Sequence, residues 1–341
     1  MRATGAAPLV ELDGVSVDYR WGRRGTRRAV DDVGFRVEAG ATLGLVGESG
    51  SGKSTLAKAL VGLAPVAAGE VRLDGVVQDP AGRRDRGFLR DVQYVFQDPN
   101  SSLNPTRTVG WSVAEPLLAL GDRDGRRPGA DGVRARVADI LARVGLPADA
   151  ATRYPAQFSG GQRQRIAIAR ALVVAPRLVV CDEVVSALDL SVQAQVLNLL
   201  TELQRDLGLA YLFISHDLGV VEHMASQVLV LYRGRVMESG AAVAVQGAPA
   251  HPYTQALLAA APVADPDRQR ARREARAARA AAVRSAPAPL GESCPFTHRC
   301  LLATDVCHEQ RPALRTSPSG TQVTCHRTED AVATLPPAVV A

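Results

Sequence analysis

No apolar run in this 341-residue chain reaches the roughly 18 residues needed to span a bilayer. Membrane work, if any, would have to pass through other chains. The opening Met1-Arg2-Ala3-Thr4-Gly5 leads into a strand-like stretch without the apolar centre of a secretory signal, so the chain is expected to stay in the cytoplasm. Internal repeats and sustained heptads are missing, which argues against solenoids and long coiled coils. Lysine is almost absent: the sequence holds Lys53 and Lys58, and arginine supplies nearly every other basic residue. The basic excess is small, +5, and much of it comes from residues 268–284. A DNA-binding domain usually carries a basic stripe on its folded surface, so no nucleic-acid partner is expected. Cysteine is scarce until the end of the chain. Cys181 stands alone in an apolar segment, while Cys294, Cys300, Cys307 and Cys325 cluster. In a reducing compartment such a cluster favours a metal over disulfides.

What is present is globular: 46% hydrophobic and 22% charged, near the soluble average. The length allows one large α/β domain plus an appendix. Strand-like segments cover residues 9–19, 41–46, 92–96, 178–181 and 210–214. The run Leu178-Val179-Val180-Cys181 is apolar without alternation, which suits a central parallel strand covered on both faces. A helix predicted over 191–206 puts Val192, Val196, Leu199, Leu200 and Leu203 on one face and closes at Gly208. Strands alternating with such helices imply a parallel α/β sheet. From about 99 to 173 the pattern is mostly helical, broken by a polar loop at 121–132, and reads as a helical subdomain inserted into the α/β core. Residues 265–289 are rich in arginine and alanine and precede the cysteine-containing tail.

Gly47-Glu48-Ser49-Gly50-Ser51-Gly52-Lys53-Ser54-Thr55 matches the phosphate-loop pattern G-x-x-x-x-G-K-[ST], placed between a strand and a helix. The glycines let backbone N–H groups turn inward around phosphate oxygens, and the helix N-terminus adds an aligned dipole. Lys53 would reach the β- and γ-phosphates, and Ser54 would offer its hydroxyl to Mg²⁺. A lysine at this position of so lysine-poor a chain points to a demand for a compact ammonium, which a guanidinium meets less well.

The strand at 178–181 runs into Asp182-Glu183. Asp182 would hold Mg²⁺ through water, and Glu183 would orient and polarise the attacking water. Acidic residues after strands are common, so the pair gains its meaning from sharing a chain with the phosphate loop. His216, after the strand at 210–214, would hydrogen-bond the γ-phosphate; a solvated loop histidine is the plainer reading. Gln97 is either a strand-end amide or a ligand to Mg²⁺ and water. Phe158-Ser159-Gly160-Gly161-Gln162-Arg163 opens a second helix with glycines at its start. It offers another anion site, best explained if it serves the ATP held by another subunit.

Taken together, these motifs identify a chain that resembles the ATP-binding subunits of ABC transporters over about residues 9–262. The phosphate loop, Gln97, Ser159-Gly160-Gly161-Gln162, Asp182-Glu183, Ser186-Ala187-Leu188-Asp189 and His216 occur in the family's order. Three stretches are similar to the oligopeptide/dipeptide importer branch: residues 95–105, 186–200, and His251-Pro252-Tyr253-Thr254-Gln255-Ala256-Leu257-Leu258. The resemblance implies a RecA-like P-loop ATPase core over 8–262, with the helical subdomain at about 99–173. An Arg/Ala-rich linker at 263–289 and a small C-terminal cysteine domain at 290–330 would follow.

ATP and Mg²⁺ are the expected ligands of Gly47, Ser49, Gly50, Ser51, Gly52, Lys53, Ser54 and Thr55. Tyr19 would stack on adenine, unless it is an ordinary strand-end aromatic. In the implied head-to-tail pair, each ATP lies between one subunit's Lys53 loop and the other's Ser159 signature, with Asp189 across the interface. Residues 100–109 border the face where the family docks its membrane subunits. The expected partners are a second ATP-binding subunit, more often a paralogue in this branch, two transmembrane permeases and an external solute-binding protein. The chain would then sit on the cytoplasmic face of the cell membrane and power uptake of peptides or similar solutes.

One departure stands out. The family has proline after the catalytic glutamate, and Val184 stands there. Proline would fix φ, so the loop aiming Glu183 is expected to be looser and hydrolysis retained but slower. For the tail, the spacing C-x5-C-x6-C-x17-C is not that of common zinc modules; four thiolates suit Zn²⁺ or an iron–sulfur cluster, or pack as buried thiols. Resemblance to the branch implies [4Fe–4S]. The arginines of 268–284 read as a solvated helix or linker, with anionic lipid headgroups as the sharper option. Two rival readings are a soluble ABC ATPase acting on nucleic acid or ribosomes, and a regulatory subunit with a weak ATP site.

Overall fold

The computed structural model describes residues 7–22, 25–260, 270 and 293–333. Apart from Arg270, the linker expected at 263–289 lies outside the described residues, as does the Met1–Gly5 stretch. Among the described residues the strands are β1 Val10–Trp21, β2 Gly25–Val37, β3 Thr42–Val46, β4 Ala68–Leu73, β5 Val76–Val77, β6 Val92–Val95, β7 Leu178–Asp182, β8 Ala210–Ser215, β9 Gln227–Tyr232, β10 Arg235–Ala241, β11 Leu314–Thr316 and β12 Gln322–Thr324. The chain forms two compact units, one of Met1–Val17, Gly34–Thr42 and Ser54–Ile214, the other of Asp18–Val33, Leu43–Lys53 and Ser215–Ala341.

In the first unit β6, β7 and β8 run parallel, Val92–Val95 beside Leu178–Cys181 and Leu178–Asp182 beside Ala210–Ile214. Every residue of β7 and β8 is buried, which is why both read as unbroken apolar runs. β1 pairs antiparallel with β4, and β4 with β5, a ribbon that strand–helix alternation does not predict. Between residues 99 and 172 the regular structure is helical: Pro99–Ser102, Val109–Leu120, Ala130–Arg143 and Gly160–Leu172, with short 3-10 turns. The polar loop is shorter than the sequence suggests. Asp122 folds it over by accepting the N–H groups of Asp124 and Arg126, and the next helix already begins at Ala130.

The helix Leu190–Leu207 begins after its cap, Asp189, and ends at Gly208 in the left-handed conformation (φ 66°, ψ 30°). It buries Val196, Leu199, Leu200 and Leu203, as the periodicity predicts. Val192 is only half-buried, because its first-turn position packs against Gly161 instead of the core.

In the second unit β3 runs parallel to β9, and β9 turns back as β10. The cysteine-containing tail then adds to the sheet: β12 pairs antiparallel with β10, and β11 with β12. Glu238 of β10 is fully buried at that junction. It accepts N–H bonds from Ala250 (2.9 Å) and His251 (3.0 Å) and a hydroxyl bond from Thr321 (3.0 Å). A buried carboxylate is tolerated only when so supplied, and burial still raises its pKa. Ala250, Val323 and Cys325 form a small core there, with Val332 against it.

Candidate functional site

The loop leaves β3 at Gly47, where a Cβ would lie 2.1 Å from the Leu231 carbonyl oxygen. At Gly52 (φ +104°) a Cβ would lie 2.8 Å from the Ala29 carbonyl oxygen. Neither position has room for a side chain. Lys53 opens the helix Lys53–Leu60 and is buried; its ammonium donates to the carbonyls of Gly47 (2.7 Å) and Glu48 (3.1 Å). The buried Ser51 Oγ has no hydrogen-bond partner among the described residues. Ser49 and Gly50 are exposed, and Ser54 and Thr55 half-buried. A buried ammonium at a glycine-lined helix N-terminus suits a polyphosphate.

Asp182, at the end of β7, is 5% exposed. Its Oδ1 accepts the Ser54 hydroxyl (2.9 Å) and its Oδ2 the Tyr94 hydroxyl (2.6 Å). Burial, and then the Asp182 charge, push the Tyr94 pKa up, so that its phenol stays a donor. Glu183 sits at φ +48°, a region rare for a residue with a side chain and common at functional sites. The strain is held by neighbours. Its N–H donates to the Ile214 carbonyl (3.1 Å), and its own carbonyl accepts the N–H (3.1 Å) and hydroxyl (2.9 Å) of Ser186. Its carboxylate accepts the Gln97 amide at 2.9 Å. Val184 is buried. Of the residues singled out from sequence, the fold brings Ser54 to Asp182 and Gln97 to Glu183. His216 and Tyr19 are both exposed, His216 just after β8 and Tyr19 near the end of β1.

Ser159 caps the helix Gly160–Leu172 in a reciprocal arrangement: its Oγ accepts the Gln162 N–H (3.3 Å), and Gln162 Oε1 accepts the Ser159 N–H (3.0 Å). Ser159, Gly160 and Gln162 are exposed. A Cβ on Gly161 would meet Val192 Cγ1 at 2.4 Å, so this glycine lets two helix starts approach closely. Asp189 caps the second of them by accepting the Val192 N–H (2.9 Å) and the Ser191 hydroxyl (2.7 Å). Those bonds hold its carboxyl below the usual range.

Cys294, Cys300, Cys307 and Cys325 line one cavity together with His251 and Phe296. None of the four is in a disulfide, and Cys300 is half-buried and the others buried. Burial pushes the Cys325 thiol up to about 12, and the other three cysteines add to the effect. Among the described residues no three His, Cys, Asp or Glu side chains are grouped so as to hold a metal ion. The four sulfurs therefore form no ready metal site, and neither zinc nor an iron–sulfur cluster finds support in that grouping. The buried His251 accepts the Tyr253 N–H on Nδ1 (2.9 Å), while its Nε2 has no hydrogen-bond partner among the described residues.

Sequence reasoning missed Tyr94, although it lies three residues before Gln97. It also missed the hold on Glu48, whose N–H donates to the Tyr253 hydroxyl at 2.9 Å and whose carboxylate pairs with Arg299. The Tyr253 motif was noticed for its resemblance, with nothing in the sequence to connect it to the phosphate loop.

The family model for ABC transporters matches residues 30–186, and that for the C-terminal region of oligopeptide/dipeptide transporters matches residues 237–307. The chain is 46% identical over 321 residues to a probable peptide ABC transporter ATP-binding protein of Sinorhizobium fredii, covering 92% of this chain and 87% of that one. It is 44% identical over 302 residues to the oligopeptide transport ATP-binding protein OppF of Salmonella typhimurium, covering 87% of each. Among solved structures it is similar to the ATP-binding cassette MJ0796 in a dimeric post-hydrolysis state bound to ADP and Pi. There the TM-score is 0.60 and the identity 28%, over 68% of this chain and 98% of that one. The parallel α/β core is thus the RecA-like P-loop ATPase fold, and a cassette acting on nucleic acid or ribosomes is not favoured. The chain belongs to the ABC transporter family, as an ATP-hydrolysing subunit of its oligopeptide/dipeptide type.

Proposed function

We propose that this chain powers uptake of peptides or similar small solutes from the cytoplasmic face of the cell membrane. It would work with two transmembrane permeases, an external solute-binding protein and a second, paralogous ATP-binding subunit. The names of its relatives support the peptide reading. Among the described residues no helix is long and apolar enough to cross a membrane.

Residues 8–262 form the nucleotide-binding domain in this reading, with the helical subdomain at about 99–173 and the cysteine domain at 290–330. Gly47, Ser49, Gly50, Ser51, Gly52 and Thr55 shape the phosphate cradle, and Lys53 neutralises phosphate charge. Tyr19 stacks on the adenine. Ser54, Gln97 and Asp182 are oxygen donors that suit a hard cation, so Mg²⁺ fits them; when bound it supplies charge to the leaving phosphates. Glu183 aims the attacking water, helped by Gln97, and His216 contacts the γ-phosphate. Ser159, Gly160, Gly161, Gln162 and Asp189 complete the site of the paired subunit. The exposure of Ser159, Gly160 and Gln162 supports that role. The bonds holding Glu183 counter the loosening expected from Val184.

The donor set, four thiols lining one cavity, is what supports an iron–sulfur cluster in this reading. Cys294, Cys300, Cys307 and Cys325 would hold a [4Fe–4S] group, which when bound supplies a rigid cross-link and an electron store. Iron and sulfide analysis of the anaerobically purified complex, with its visible spectrum, decides this; absence of all three signals rejects it.

The observation that carries the ATPase reading is the Ser54–Asp182 hydrogen bond at 2.9 Å, with Ser54 following Lys53 in a complete phosphate-loop motif. In the reconstituted transporter, peptide-loaded binding protein should stimulate ATP turnover, and Glu183→Gln should abolish turnover while sparing ATP binding. Turnover indifferent to peptide would sink the substrate assignment, and an active Glu183→Gln variant the catalytic one.

A further inference from the structure

Glu48 is the one carboxylate among residues 47–53. A negative charge in a loop that receives a polyanion raises the cost of binding unless it is cancelled, and two distant residues grip this one. Its backbone N–H donates to the Tyr253 hydroxyl at 2.9 Å. Its carboxylate accepts both arms of Arg299, Nη1 to Oε2 at 2.7 Å and Nη2 to Oε1 at 2.8 Å. A bidentate guanidinium fixes both the place and the plane of a carboxylate.

Both grips are braced. Tyr253, in the helix Pro252–Ala260, is fully buried, with ring centroids 4.5 Å from Tyr232 and 5.4 Å from Phe296. Arg299 ends the turn Thr297–Arg299, next to Cys300, and its guanidinium carbon lies 5.9 Å from the Tyr232 ring and 5.6 Å from that of Phe296. Glu48 in turn touches the phosphate-binding cation, because its carbonyl accepts the Lys53 ammonium at 3.1 Å. Arg299 and Tyr253 therefore act on Lys53 through a single residue.

We propose that Arg299 and Tyr253 are positioning residues for the nucleotide: they neutralise and immobilise Glu48, and so hold the phosphate loop and Lys53 in the shape that receives MgATP. The cysteine-bearing tail thereby contributes to ATP affinity without touching ATP. The inference rests on the phosphate loop being the ATP site.

The test is calorimetric titration of the intact transporter with MgADP, alongside steady-state ATP turnover. The ion pair is part-exposed, 38% and 41%, so Arg299→Ala should weaken affinity and raise KM about three- to tenfold, with kcat changed by less than about twofold. Tyr253→Phe, which keeps the packed ring and removes only the hydroxyl, should shift affinity in the same direction. In a Glu48→Gln background, Arg299→Ala should add nothing, because the charge it cancels is gone. Unchanged affinity in both single variants, an equal loss in the Glu48→Gln background, or a fall in kcat with affinity intact overturns the proposal. If Arg299→Ala does not fold, Tyr253→Phe decides alone. A Lys53→Ala variant that binds MgADP like the parent would instead refute the ATP site, leaving the positioning argument without an object.

Discussion

The acids at the end of β7 and the cysteines of the tail are both sets of reactive groups drawn largely out of solvent, Glu183 and Cys300 half-buried and the rest buried, yet the chain supports them differently. Asp182 is met by two hydroxyls, and Glu183 by the Gln97 amide, with its backbone pinned by Ile214 and Ser186. These partners hold the carboxylates in place, and in the proposed reading such preorganisation lowers the barrier to hydrolysis. Around the cysteines the contacts run to sulfur: the Arg327 N–H reaches Cys325 Sγ at 3.4 Å and the Thr304 hydroxyl lies 3.5 Å from Cys307 Sγ, while the buried His251 Nε2 has no hydrogen-bond partner among the described residues. One region is held by hydrogen bonds between oxygen and nitrogen; the other rests on weaker contacts to sulfur.

If that contrast holds, Lys53→Ala should lower nucleotide affinity by about two orders of magnitude, since it removes a charge-assisted contact to phosphate, and should leave iron content untouched. Equilibrium binding and iron analysis on one preparation check both halves. The reverse arm is Cys325→Ser, expected to abolish iron content while MgATP affinity moves far less; an equal loss of both would dissolve the distinction between the regions. Glu238→Ala should destabilise the tail by about 3 kcal/mol, because three donors lose their buried acceptor. A lowered melting temperature together with early proteolysis of the tail would show it. The smallest effect belongs to Tyr94→Phe. Losing one hydroxyl bond to Asp182 should cost about 1 kcal/mol, seen as a severalfold rise in the Mg²⁺ concentration giving half-maximal turnover.

The sequence made the phosphate loop legible because its residues must be covalent neighbours to wrap a phosphate. Asp182 and Glu183 were legible for the same reason, and the central strands because burial on both faces leaves no polar alternation. The cysteines could be counted, and the fold places all four on one cavity. Other features depend on tertiary packing, which no local pattern records. Arg299 reaches Glu48 across 251 positions of sequence, and Tyr94 reaches Asp182 across 88. The pairing of β12 with β10 is equally remote, so the tail read as an appendix when it is in fact an extension of the sheet. Val192 shows the converse limit: periodicity put it in the core, but a glycine on a neighbouring helix claimed it.

The strand β12 lies along β10, and that has a practical consequence for anyone shortening this protein. A version ending soon after the helix Pro252–Ala260 would strip β10 of its outer neighbour and lay bare a row of unpaired amides and carbonyls. Such an edge invites another molecule to zip onto it, so trimmed preparations should clump, and their lost activity would say nothing about what the cysteines do.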